Sequence, residues 1–87
     1  MNAYTITISK FDRYERTADS EAMVQVDGKP AGSIVGACVD VGGSILTKRY
    51  VIESYDVDVD VAGVTHVASF KTRGEATAFV RSLAKRA

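Results

Sequence analysis

The sequence predicts an α+β fold, an antiparallel meander sheet of about five strands packed on one C-terminal helix. Short stretches in which apolar and polar residues alternate are separated by turns that contain glycine, as in β-hairpins. Near the C-terminus, apolar residues instead recur at spacings of three and four, which is typical of an amphipathic helix. The 87 residues contain no linker, repeat or low-complexity tract. We therefore expect a single domain over residues 1–87.

The first strand is predicted over residues 4–9. Tyr4, Ile6 and Ile8 fall on one side of it and three hydroxyl residues on the other, the pattern of a half-buried strand. Residues 11–21 are mostly polar, with Phe11 and Tyr14 as candidate anchors. Three structures fit this stretch equally well: a loop, a short helical turn or an irregular edge strand.

A hairpin is predicted next, with strands over residues 22–26 and 33–41. Residues 27–32 connect the two strands, because Asp-Gly and proline favour turns. The second strand carries apolar atoms on both sides, which indicates a central position in the sheet. Its Gly36 marks either a bulge or a close approach of another backbone or of the helix.

Residues 42–43 predict a second tight turn, and residues 44–61 are too long for one ordinary strand. The apolar pattern of this stretch changes phase between Ile52 and Tyr55, so we expect a bulge or bend near Glu53 and Ser54. A turn at residues 62–63 and a last strand over residues 64–70 complete the meander.

The helix is predicted to begin at Thr72 and to run towards Arg86. Thr72 and Glu75 have the spacing of a capping box, in which each side chain binds the backbone N–H of the other residue. Lys85 and Arg86 are expected in the last turn, where cations stabilise the helix dipole. The apolar stripe comprises Ala76, Phe79, Val80 and Leu83.

The formal net charge is zero, but the charges are unevenly distributed. Residues 1–60 hold ten acidic and six basic side chains, and residues 61–87 hold one acidic and five basic side chains. A neutral total disfavours a dedicated nucleic-acid-binding protein. Cys38 is the only cysteine, which excludes an internal disulfide. No apolar run approaches the roughly 18 residues of a membrane span, and no signal peptide is recognisable, so we expect a cytoplasmic protein.

The most distinctive local pattern is Asp56, Asp58 and Asp60, which we call the acidic ridge. On a strand these carboxylates share one face at a spacing of about 6.6–6.8 Å. One interpretation is a contact surface for a basic protein partner; the other is a solvated strand face that prevents edge-to-edge association. The ridge also resembles the start of an EF-hand calcium loop, but Val61 and Val67 occupy the positions that need glycine and glutamate.

The alternative binding site is basic. Lys48, Arg49, Lys71 and Arg73 form two pairs, the second of them beside the helix N-terminus, where backbone amides bind phosphate. This pattern predicts a small nucleic-acid-binding module as the alternative function, although a solvated helix face with interstrand ion pairs explains it more simply, since the net charge is zero.

The sequence gives no basis for catalysis. His66 is the only histidine, and one histidine with one cysteine is too few ligands for a zinc site. No Gly-x-Ser-x-Gly turn presents a nucleophile, and the glycine pairs lack the Lys-Ser/Thr of a phosphate loop. We therefore expect a non-enzymatic protein without a cofactor or a metal.

Phe70, Thr72, Glu75 and Ala76 form a "strand, F-x-T-x-x-E-A, helix" ending. This ending is similar to that of the arm-binding domains of phage integrases, in which a three-stranded sheet packs on a C-terminal helix and enters the DNA groove. The sheet of that family is basic and aromatic, whereas the strand before this ending carries the acidic ridge.

The overall plan, a short chain with a meandering sheet and surface carboxylates, resembles some small phage-encoded anti-CRISPR proteins. This resemblance implies a non-enzymatic inhibitor that binds a nucleic-acid-handling complex. Because several predicted strands carry apolar residues on both faces, and one helix covers only one face, we also expect a homodimer. Our first functional hypothesis is thus a small mobile-element protein, an inhibitor that docks on a protein partner through the acidic ridge.

Overall fold

The computed structural model describes residues 3–13, 20–42 and 49–85, with the backbone alone at residues 13, 40, 41, 49 and 50. These residues form one antiparallel sheet and one helix. The elements in chain order are β1 (Ile6–Ile8), β2 (Asp12–Arg13), β3 (Ser20–Val26), β4 (Lys29–Gly42), β5 (Arg49–Val61), β6 (Val64–Phe70) and α1 (Arg73–Ser82).

The sheet has the strand order β1-β3-β4-β5-β6, and β2 lies beside β1 on the same edge of β3. Thus β1 and β2 act as one edge strand that is interrupted between Ile8 and Asp12. Neighbours in the sheet follow one another along the chain, as a meander requires. The predicted fold class is confirmed, and residues 12–13 and 20–21 belong to the sheet. Residues 14–19, the rest of the ambiguous polar stretch, lie outside the described residues.

Two tight turns explain why the middle of the chain folds locally. Asp27 and Gly28 join β3 to β4 with φ values of 51° and 81°, and Ala62 and Gly63 join β5 to β6 with φ values of 53° and 79°. Positive φ at both central residues defines the type I′ turn, whose twist matches that of the flanking strands. The predicted six-residue connection over residues 27–32 is too long, because β4 already begins at Lys29.

The long strand β5 is regular except for a bulge at the predicted place. Ala37 pairs with Ser54 and Cys38 pairs with Ile52, so Glu53 is the extra residue. The bulge returns Ile52 to the face that carries Tyr55, which accounts for the change of phase in the sequence. Gly36 itself pairs regularly with Tyr55, and a Cβ there would lie 3.1 Å from the Ile52 and Tyr55 side chains. The prediction of a bulge, or of a close approach of another backbone or of the helix, is therefore wrong at Gly36, whose closest neighbours are side chains of β5.

The helix α1 packs on one face of the sheet and closes the core. Thr72 caps it by accepting the Glu75 backbone N–H at 3.2 Å. The Glu75 carboxylate accepts the Thr72 hydroxyl at 2.9 Å, so only half of the predicted capping box forms as expected. The helix ends at Ser82, so Lys85 lies exposed beyond its last turn, and Arg86 lies outside the described residues. The buried core consists of Val24, Ile34, Val57, Val59, Val61, Ala76 and Val80.

Beyond this core, β4 and β5 continue as a two-stranded ribbon, which we call the arm (residues 37–42 and 49–54). Among the described residues, pairing of β4 with β3 stops at Gly36, and pairing of β5 with β6 stops at Tyr55. The arm explains the elongated shape: the molecule measures 56 × 20 × 18 Å. Its radius of gyration is 14.9 Å, compared with about 12 Å for a compact chain of this length. Cys38 lies half-buried in the arm, outside the buried core.

Candidate functional site

The acidic ridge lies on the open face of the sheet, the face opposite α1. Asp56, Asp58 and Asp60 are exposed, whereas the alternating residues Val57 and Val59 are buried under the helix. Because successive side chains of a strand point to opposite faces of the sheet, the aspartates and the valines lie on different faces. The predicted common orientation of the three carboxylates is therefore confirmed.

The open face is mainly polar, although β3, β4 and β6 each carry an apolar residue on it, as the sequence predicts. One row of paired residues across the sheet is Met23, Ser33, Asp58 and Val67. The next row is Glu21, Val35, Asp56 and Ser69, and Asp12 pairs with Glu21 at its end. Apolar residues are a minority across the two rows, so the open face does not by itself require a second copy. Five carboxylates occupy it: Asp12, Glu21, Asp56, Asp58 and Asp60.

Hydrogen bonds distinguish the three ridge carboxylates from one another. Oδ1 of Asp56 accepts the hydroxyls of Ser54 at 3.1 Å and Ser69 at 2.5 Å. Oδ1 of Asp60 accepts the hydroxyl of Thr65 at 2.5 Å. These bonds hold the two outer carboxylates in fixed orientations on the strand.

The side chain of Asp58, at the centre of the ridge, has no hydrogen-bond or ion-pair partner among the described residues. Its cross-strand neighbours are Ser33 on β4 and Val67 on β6. Both of its carboxylate oxygens are consequently available to a ligand. Of the three ridge residues, Asp58 is the one whose side chain the fold itself does not use.

Among the described residues of the alternative site, the structure does not bring Arg49 together with Lys71 and Arg73. Lys71 and Arg73 are exposed at the start of α1. Arg49 pairs with Gly42 near the outer end of the arm. It lies about 20 Å along β5 from Tyr55, the residue that pairs with Phe70 at the end of β6. Lys48 lies outside the described residues. Arg49 therefore does not form one continuous patch with Lys71 and Arg73.

A cluster that the sequence did not predict lies at the base of the arm. The Arg73 guanidinium lies 5.2 Å from the centroid of the Phe11 ring, a cation–π contact. The Phe11 and Tyr55 rings meet edge to face with centroids 6.1 Å apart. Together with Ser20 and Ile52 they line an open pocket of about 380 Å³. The only signal for this cluster in the sequence is an aromatic residue at the start of a polar stretch.

His66 lies half-buried on the helix side of β6, as its parity with Ala68 and Phe70 predicts. With Tyr4, Leu83 and Lys85 it lines a second open pocket of about 420 Å³. Among the described residues, no three histidine, cysteine or acidic side chains are close enough together to hold a metal ion. No helix in the described part of the chain has the length and apolar character needed to cross a membrane.

No protein-family model matches this chain, and no curated protein or solved structure with which it was compared matches it either.

Proposed function

We propose that this protein is a small non-enzymatic binding protein that docks through its acidic ridge on the basic surface of a protein partner. The partner class is a nucleic-acid-handling protein, because such proteins present rows of lysine and arginine to phosphate groups. Occupation of that surface by carboxylates would exclude the nucleic acid. The protein would thus act as an inhibitor, the role implied by its resemblance to anti-CRISPR proteins.

The observation that carries the proposal is the state of Asp58. An exposed carboxylate without an intramolecular partner loses no bond within its own fold when it forms a charge-assisted hydrogen bond with a lysine or arginine. Asp56 and Asp60 flank it at about 6.6–6.8 Å on either side. Their hydroxyl bonds, from Ser69 and Thr65 among others, keep them aligned before binding.

The linear charge density of the ridge limits what it can imitate. DNA carries one phosphate about every 3.4 Å along each strand, twice the density of the ridge. Glu21, in the same cross-strand row as Asp56, widens the acidic surface over β3. A surface of this kind fits a basic patch two or three side chains long better than it fits an extended DNA-binding groove.

The proposal is tested with three baits in a pull-down from lysate of the cells that encode the protein: wild type, Asp58→Lys and Glu53→Lys. Glu53 is the matched control, since it is exposed on the same strand but lies at the bulge, away from the ridge. Both substitutions change the net charge equally. We expect wild type and Glu53→Lys to retain the same partner after nuclease treatment, and Asp58→Lys to bind it about tenfold or more weakly.

Two further observations sharpen the test. Duplex DNA added in excess should release the captured partner, because the DNA and the bait compete for the same basic surface of that partner. Higher salt should also weaken binding. The double variant Asp56→Lys, Asp58→Lys should abolish binding and leave the circular dichroism spectrum unchanged. Equal binding by wild type and the double variant would remove the ridge from the contact surface. Recovery of a partner only in untreated lysate would instead favour nucleic-acid binding through Lys71 and Arg73.

A further inference from the structure

The two edges of the sheet differ in how they are protected from pairing with another strand. The edge formed by β1 and β2 is short and interrupted, and beside it the Tyr4 backbone N–H donates to the Ala84 carbonyl at 2.9 Å. The opposite edge, β6, pairs only with β5 among the described strands. Natural sheets protect such edges with charged side chains, proline, bulges or short strands.

The β6 edge has none of these protections. Its seven residues, Val64–Phe70, include no charged residue and no proline. Its pairing with β5 is continuous from Val61 and Val64 to Tyr55 and Phe70, without a bulge. Val64 is 55% exposed and Val67 is 73% exposed, more than any other large hydrophobic residue in the described chain. An open, regular and partly apolar edge of this length favours the addition of another strand.

The hairpin geometry identifies which backbone groups are available at this edge. In a two-residue hairpin the residues that flank the turn, here Val61 and Val64, exchange backbone hydrogen bonds. Hydrogen-bonded pairs then alternate along the strands, so the N–H and C=O groups of Thr65, Val67 and Ser69 point away from β5. These three residues therefore present a complete ladder to an incoming strand.

We propose that the occupant of this edge is β6 of a second copy of the chain, paired antiparallel about a two-fold axis at Val67. Each Val67 then faces the same residue of the second copy, and each Thr65 faces Ser69 of the second copy. The outward groups of the two strands coincide in this register and form about six backbone hydrogen bonds. The exposed Val67 side chains pack against each other, which supplies the apolar contact that the monomer lacks.

The charges of the open face are compatible with this arrangement. No charged residue lies on β6, so no like charges meet across the axis. The ridge carboxylate nearest to the axis is that of Asp58, which pairs with Val67 on the neighbouring strand β5. Asp58 of one copy and Asp58 of the second copy are then three strand spacings apart, about 14 Å, which exceeds the Debye length of about 8 Å at physiological salt. The inference does not depend on the proposed function, but the dimer would display two parallel acidic ridges on one continuous face.

The test is sedimentation analysis of the full chain over a range of concentrations. The wild type should dimerise with a micromolar dissociation constant, about 1–100 μM, because the edge contact is small. Val67→Glu places two carboxylates face to face on the axis and should weaken dimerisation by about 100-fold or more. Val67→Lys alone should also weaken it. An equimolar mixture of the two variants should restore a dimer, since a residue on a two-fold axis meets only itself in a homodimer.

Val51→Glu is the matched control, because Val51 is 48% exposed and lies in the arm, away from β6. It should leave the dissociation constant unchanged, and circular dichroism should report the same fold for every variant. A wild type that stays monomeric at about 500 μM, well above the range expected for a small interface, would overturn the proposal. So would loss of the dimer in Val51→Glu but not in Val67→Glu, or a mixture of Val67→Glu and Val67→Lys proteins that stays monomeric.

Discussion

Gly32 is the residue at which a single methyl group should do the most damage to this fold. A Cβ built there lies 2.0 Å from the Asp58 carbonyl oxygen and 2.7 Å from the Val59 Cα. Both neighbours are backbone atoms of β5, so no side chain can rotate away. Gly32 also has φ of +154°, which side-chain-bearing residues rarely adopt. In Gly32→Ala the central strands β4 and β5 must separate by more than about 1 Å at this point.

The loss in the free energy of unfolding follows from the strand separation and from the backbone angle. Separation of the strands loses about two ladder hydrogen bonds at roughly 1 kcal/mol each, and the unfavourable φ adds about 1–3 kcal/mol. We therefore expect Gly32→Ala to lower the free energy of unfolding by about 3–5 kcal/mol, out of the roughly 4–13 kcal/mol expected for a chain of this length. For a domain of this size that corresponds to a fall in Tm of at least about 12 °C.

The assay is urea and thermal unfolding of a glycine-to-alanine series. Gly28 has φ of +81°, but a methyl group at that position would have no atom within 4 Å, so Gly28→Ala should lose only about 1 kcal/mol. Gly74 is unobstructed within the first turn of α1, where Gly74→Ala should gain about 0.5 kcal/mol through helix propensity. The structure thus predicts the order Gly74, Gly28, Gly32 from stabilised to strongly destabilised. A Gly32→Ala protein as stable as Gly28→Ala would show that β4 and β5 do not pack as described.

Two further substitutions test local features of the chain by the same unfolding measurements. Ala62→Asn should raise the free energy of unfolding by about 0.5–1 kcal/mol, because asparagine tolerates the positive φ of 53° before Gly63 better than alanine does; a loss of stability would contradict the turn type. Thr72→Ala should lower it by about 1 kcal/mol through loss of the helix cap, whereas Thr72→Ser should keep the hydrogen bond from Glu75 and stay near wild type.

The elements that could be predicted from the sequence are those that depend on neighbouring residues. The Asp27-Gly28 turn, the bulge at Glu53 and the Thr72 cap each follow from backbone preferences within a few positions. The common face of the acidic ridge follows from the strand period alone. Errors in these elements concern length: the first hairpin turn is shorter than predicted, and α1 ends at Ser82.

Features that depend on contacts between distant residues could not be predicted. Within the described parts of the chain, the arm begins where β4 no longer pairs with β3, after Gly36, and where β5 no longer pairs with β6, before Tyr55. No local property of β4 or β5 marks those points. The contact between Phe11 and Arg73 joins residues far apart in the chain. The polar character of the open face could not be predicted either, because apolar residues such as Val35 lie on it between the carboxylates of Glu21 and Asp56.

The placement of the ridge on β5 bears on whether it is a contact surface or only a solvated face. Carboxylates at the spacing of Asp56 and Asp58 repel each other by about 0.6 kcal/mol in water before screening, and none of their cross-strand partners is basic. Solubility alone would be served as well by alternating charges, which avoid this repulsion. β5 is also held by strands on both sides and by α1 beneath, so the ridge presents its charges in a fixed geometry. A rigid row of one sign costs stability in the free protein and lowers the entropy lost on docking, which favours the contact surface.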